Sequence, residues 1–170
     1  MQKLIQVITR VLSIVLITLM AVIVIDVTWQ VFTRFILKDP SSFTEELAGF
    51  LLIWIGLLGS SYAFYTRAHL GIDILTMRLD PVKKRLVGML ISLIVFLFAL
   101  FILLIGGLRL VNLTFTLKQI SPAIGIPMGY VYLVLPVTGA LMMIYAVYFI
   151  YQLWIQKEVI PEEHHISTVD

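Results

Sequence analysis

A chain of 170 residues, 61% hydrophobic and only 13% charged, has too little interior to hide its own apolar surface. With a mean hydropathy of +1.05, lipid must cover the remainder, which excludes a soluble globular domain. The net charge of +2 discriminates little, and the absence of cysteine excludes disulfides and thiolate chemistry.

Four apolar segments follow one another: Val11–Phe35, Phe43–Tyr65, Leu86–Leu108 and Met128–Ile155. Each is near the ~20 residues that cross a hydrocarbon core. Lipid offers no partner for backbone groups, so each is expected to be a helix. The expected fold is therefore an all-α integral membrane protein. Residues 1–156 form a single four-helix transmembrane domain, and "KEVIPEEHHISTVD" forms a polar tail over 157–170. The N-terminal stretch could pass for a signal peptide. Its apolar run continues through Val31 and Phe32 with no small-residue cleavage site, so it reads as a retained first span.

In that first span Asp26, Trp29, Gln30 and Thr33 share a face, with Arg34 beside it. A carboxylate within a span costs about 2.5–3.5 kcal/mol at the helix centre and less towards the interface. Such a stripe should face protein or a wet cavity. Two readings stand: a polar seam inside this chain's own bundle, or a seam against another subunit.

The second span opens on Ser42-Phe43-Thr44-Glu45-Glu46. Ser42 as N-cap and Glu45 three residues on make a capping box, and both carboxylates meet the positive end of the helix dipole. This accounts better for one glutamate than for two, and leaves open that Glu45 or Glu46 pairs with a basic residue in this chain or a partner. Further along, Gly56/Ser60 and Gly59/Ala63 are small pairs that permit close helix approach.

Between the second and third spans, Ile72, Leu75, Leu79, Val82 and Leu86 recur at helical spacing among polar residues. This predicts a short amphipathic helix in the membrane interface. Asp80 is a candidate N-cap ahead of Pro81, where the third helix restarts. In the fourth span Pro136 predicts a kink, and tyrosines at both ends, with Trp154, suit the interfacial belts.

With the N-terminus inside, eight lysines and arginines lie on the inner side and four on the outer, Lys83-Lys84-Arg85 carrying most of the bias. Both termini are thus expected in the cytoplasm. The chain has no nucleophile–base pair, metal-ligand cluster or phosphate-binding glycine loop, so no enzyme activity, cofactor, metal or nucleic-acid partner is expected. His69 is the only histidine near the bilayer, which argues against a haem-bearing redox anchor. One off-centre Asp and no repeated halves fall short of a substrate pathway.

Three blocks carry a family resemblance. The first is Gln30-Val31-Phe32, Arg34-Phe35, Pro40 and Thr44-Glu45-Glu46-Leu47-Ala48. The second is Gly59, Ala63 and "RAHLGID" with His69 and Asp73. The third is "SPAIGIPMGYVYLVLP", Ser121 to Pro136. In order and spacing, from Trp29 to Met142, they resemble the small membrane subunit of tripartite ATP-independent periplasmic (TRAP) transporters. Phe43, Gly49 and Gly129 depart from the family's usual residues.

The resemblance implies a bacterial inner-membrane subunit beside a large membrane subunit that carries substrate and sodium ions. A periplasmic binding protein would deliver an organic or sugar acid. Alongside this resemblance, Asp26, Gln30, Arg34, Glu45 and Glu46 are expected to form a polar cluster in the outer half of the bundle. That cluster would set the packing of the first two helices and border the large subunit. His69 and Asp73 would occupy the inner bend, Asp73 capping the in-plane helix. The competing expectation is a self-contained tetraspan exporter, a homodimer with Asp26 as its proton-coupled carboxylate.

Overall fold

The structure, a computed structural model, describes residues 2–39, 41–66 and 81–155. The in-plane helix expected from Ile72, His69, Asp73, the Asp80 cap and the tail 157–170 lie outside the described residues.

Helix α1, Gln2–Phe32, runs into a π-helical turn, Thr33–Leu37. Helix α2 is Ser42–Tyr65. Helix α3, Pro81–Phe98, continues through a π-helical stretch, Ala99–Gly106, into α4, Gly107–Thr116. Helices α5, Met128–Tyr132, and α6, Val134–Ile155, make up the last rod. Four rods are long and apolar enough to cross a membrane: Gln2–Leu37, Ser42–Tyr65, Arg85–Thr116 and Met128–Ile155. This is an all-α, multi-pass membrane protein with four spans.

The third span is longer than its apolar run suggests. The stretch from Arg109 expected as connection is helical through Thr116. Gly107, Val111 and Thr114 are buried at helical spacing while Arg109 and Asn112 are exposed. The chain here changes from wholly apolar to amphipathic without leaving the helix.

Span 4 is the hub. Span 1 packs on span 2, span 2 on span 4, and span 4 on span 3. In the most apolar window of span 4, 39% is buried, against 11% in span 1. At one end spans 1, 2 and 4 converge on Tyr145, which is fully buried. Its hydroxyl lies 3.1 Å from Thr9 Oγ1, and its ring lies 5.0 Å from that of Tyr65. Phe64 meets Phe149 edge-on at 5.4 Å. Lipid tails are as apolar as these side chains, so what holds the spans is close packing and hydrogen bonding rather than water exclusion.

Spans 3 and 4 approach closely at two glycines. A Cβ on Gly139 would stand 2.9 Å from Leu104 N and 3.1 Å from Ala99 O, both in the π-helical stretch. One on Gly107 would stand 3.0 Å from Pro136 Cδ. Pro136 lacks an N–H and its ring crowds the carbonyl four residues back, at Tyr132. The helix is interrupted there, between Tyr132 and Val134. By contrast, nothing lies within 4 Å of a Cβ on Gly56 or Gly59. Neither glycine of the small pairs in span 2 is a site of close helix approach within this chain.

Candidate functional site

Among the described residues, the most elaborate polar structure lies at the end of the bundle where span 1 hands over to span 2. After the π-helical turn, Lys38 adopts a left-handed conformation (φ 55°), and Asp39 N donates to Thr33 O at 3.2 Å. The chain reverses and span 2 begins. Its N-cap is Ser41, not Ser42: Ser41 is extended and its Oγ accepts from Thr44 N at 3.4 Å, while Ser42 is already helical. Thr44 Oγ1 returns a bond to Ser41 O at 3.0 Å. The helix thus starts one residue earlier than the expected capping box, so Thr44, not Glu45, takes the third helical position. Glu45 is exposed in the first turn, where its charge meets the dipole.

Glu46, the next residue round the helix, reaches across to the connection between spans 3 and 4. Its Oε2 accepts from Ala123 N at 2.8 Å and from Ile124 N at 3.0 Å. The Ser121 hydroxyl is a third donor to the carboxylate. Two consecutive amides converging on one oxygen form an anion-binding concavity of the kind a turn presents. The turn is built for this. Ser121 N donates to Ile126 O at 2.9 Å, Met128 N to Gln119 O at 2.9 Å and Gly125 N to Ser121 O at 3.0 Å. Gly125 has φ +77°, which a side chain would strain. Ser121, 1% exposed, also takes Ile124 N on its Oγ at 3.2 Å.

Two turns further into span 2, Trp54 Nε1 donates to Val131 O at 3.1 Å. The same face of span 2 is thus tied to the 121–131 segment at two levels. Gly129 has a local cause: a Cβ there would lie 2.5 Å from the Phe115 ring, which stacks edge-on against Tyr130 at 5.3 Å.

The five residues expected as one cluster do not form one network. Asp26, 7% exposed, half-buried Gln30 and buried Thr33 share the stripe of span 1 that faces the bundle. Asp26 Oδ2 is buried without a hydrogen-bond partner. Trp29 sits at the rim, 53% exposed and stacked on Phe32 at 5.6 Å. Arg34 and Glu45 are exposed. The partners of Glu46 are amides and a hydroxyl rather than a basic side chain. Among the described residues, no three His, Cys, Asp or Glu side chains gather to hold a metal. Reading the sequence missed Ala123 and Ile124, which act through their backbone; Gly125 in "SPAIG" was the available sign of a turn.

The separate blocks 44–48 and 121–136 therefore meet in space through Glu46. Residues 23–156 match the model of a family described as tripartite ATP-independent periplasmic transporters, DctQ component. The chain belongs to this family. Among curated relatives of this TRAP subunit, the isethionate TRAP transporter permease protein DctMQ of Oleidesulfovibrio alaskensis is 34% identical over 129 residues, 72% of this chain and 20% of that protein. The sialic acid TRAP transporter small permease protein SiaQ of Vibrio cholerae is 36% identical over 81 residues, 48% of this chain and 46% of that one. The C4-dicarboxylate TRAP transporter small permease protein DctQ of Rhodobacter capsulatus is 34% identical over 103 residues, 58% and 43% of the two chains. The matches thus span less than half the length of each of these relatives. Membership in the family makes the chain a TRAP-type DctQ membrane component.

Proposed function

We propose that this subunit braces the large transport subunit of a sodium-driven TRAP transporter that takes up an organic or sugar acid delivered by a periplasmic binding protein. It lies in the bacterial inner membrane with both termini cytoplasmic. Glu46 and the 121–127 turn are then periplasmic. The observation that carries the reading is the Glu46 staple. Among the described residues, this carboxylate accepts from two backbone amides and a hydroxyl of its own chain and is not free for an ion or substrate, as befits a static element.

The acids named in the relatives, isethionate, sialic acid and C4-dicarboxylates, support the substrate class. Glu46 acts as a positioning residue, holding the periplasmic loop against span 2, while Asp26 and Gln30 line the seam of spans 1 and 2. Arg34 and Glu45 lie at its exposed edge, on the side towards the large subunit.

Reconstitution into liposomes tests this. Uptake of a labelled acid should require the large subunit, this chain and the loaded binding protein together, with an inward sodium gradient. Movement of substrate by this chain alone on a proton gradient would overturn the reading in favour of the self-contained exporter, with Asp26 as its carboxylate.

A further inference from the structure

Asp26 is the only ionisable residue between Arg10 and Arg34, and it is buried in the wall of a cleft with its hydrogen-bonding capacity unmet. One carboxylate oxygen has no partner, yet the residue lines an open cleft of ≈ 400 Å³ whose other walls are Val22, Ile25, Trp29 and Leu47. A buried carboxyl in an apolar wall is stable only when something supplies a donor. Gln30, one turn away, does not satisfy the free oxygen. Arg34 stands eight residues on, about 12 Å along the axis.

We infer that this cleft receives a transmembrane helix of the large TRAP subunit, which presents a hydrogen-bond donor side chain to Asp26. The inference rests on the reading of this chain as the small subunit of that complex. Three features select a helix of another protein. A lipid headgroup would have to sink about 12 Å below the level of Arg34 to reach the carboxylate. A second copy of this chain docked on the same face would bring Asp26 towards Asp26, two carboxylates with no basic side chain among the described residues that line the cleft. In the DctMQ relative, the stretch matching this chain is 20% of a longer permease protein, so additional permease chain is tethered to it. Asp26 is then a contact residue between subunits, and Trp29 is the rim of the contact.

The test uses this chain co-expressed with the large subunit of the same transporter. A photo-cross-linking residue replaces Trp29, or, as a control on the opposite face, Val24, which is 60% exposed. Cross-links from position 29, and not from 24, should run to the large subunit. In parallel, Asp26→Leu should reduce large-subunit co-purification by about 3- to 30-fold, the range of an interhelical hydrogen bond in a bilayer. Asp26→Asn, which keeps an acceptor, should retain more of it than Asp26→Leu. Position 29 cross-linking to lipid or to a second copy, or Asp26→Leu binding as well as wild type, would overturn the inference while leaving the bracing role intact. Wild-type chain that brings down no large subunit would take both readings down. Cross-linking keeps Asp26 in place, so it decides the matter even if Asp26→Leu does not fold.

Discussion

At the scale of single residues, the polar groups of this chain divide by whether they are satisfied. Glu46 has three donors and ties residues 77 and 78 positions apart in sequence. A carboxylate accepts from amides more strongly than a neutral oxygen does, and removing it leaves two N–H groups to find water. Glu46→Ala should therefore loosen the 121–127 turn without unfolding the spans. Hydrogen exchange at Ala123 and Ile124 should accelerate by roughly tenfold, while amides near Tyr145 stay protected. Glu46→Gln keeps an acceptor oxygen and should lie between the two. If the turn positions the binding protein, uptake should fall in the same order: wild type, Gln, Ala. Unchanged uptake with a loosened turn would confine Glu46 to local stability. None of this long-range pairing was legible in the sequence, because nothing local encodes which loop a helix-terminal carboxylate will meet. The cap was ambiguous for a different reason. Ser41 and Ser42 each have a suitable residue three positions on, Thr44 or Glu45, so the local sequence does not choose between them, and the structure has Ser41 as the cap.

At the scale of elements, the spans themselves were legible, since hydropathy and length suffice when lipid forbids any other backbone pairing. Their contacts were not. The small residues of span 2 looked like a packing motif, yet open space surrounds Gly56 and Gly59, while Gly107 and Gly139 do the close work. A spacing of small residues says that a helix could approach, not that one does. The two classes of glycine should behave oppositely. Gly139→Ala pushes a methyl against the backbone of the π-helical stretch and should cost about 1–3 kcal/mol. Gly56→Ala meets nothing and should be neutral or stabilising by roughly 0.5–1 kcal/mol, because alanine loses less backbone freedom in a helix. Thermal unfolding of the purified chain in one detergent compares them directly. Equal effects would mean that span 3 does not press on span 4 as described.

At the scale of the whole molecule, the order of the spans decides what surface is left for others. A closed four-helix bundle joined by short loops would pair span 2 with span 3 and span 4 with span 1 along their lengths. Here span 2 and span 3 both lie against span 4, because the Tyr65, Phe64 and Trp54 contacts of span 2 and the Gly107 and Gly139 contacts of span 3 are made with the same partner. Span 1 is left with most of its girth uncovered, including Ile17 and Ile25, 66% and 70% exposed. The absence of native cysteine makes this order directly measurable. Gly88 and Leu153 face each other across spans 3 and 4, a Cβ on the first lying 3.2 Å from Leu153 Cδ1. The pair Gly88→Cys with Leu153→Cys should therefore oxidise to a cross-link in native membranes. Leu57→Cys with Leu93→Cys, at similar depth on spans 2 and 3, should not. The reverse result would place span 3 against span 2 and close the bundle, leaving span 1 less free to lie along a larger neighbour. The expected result keeps one long flank open, and that flank carries the Asp26 cleft.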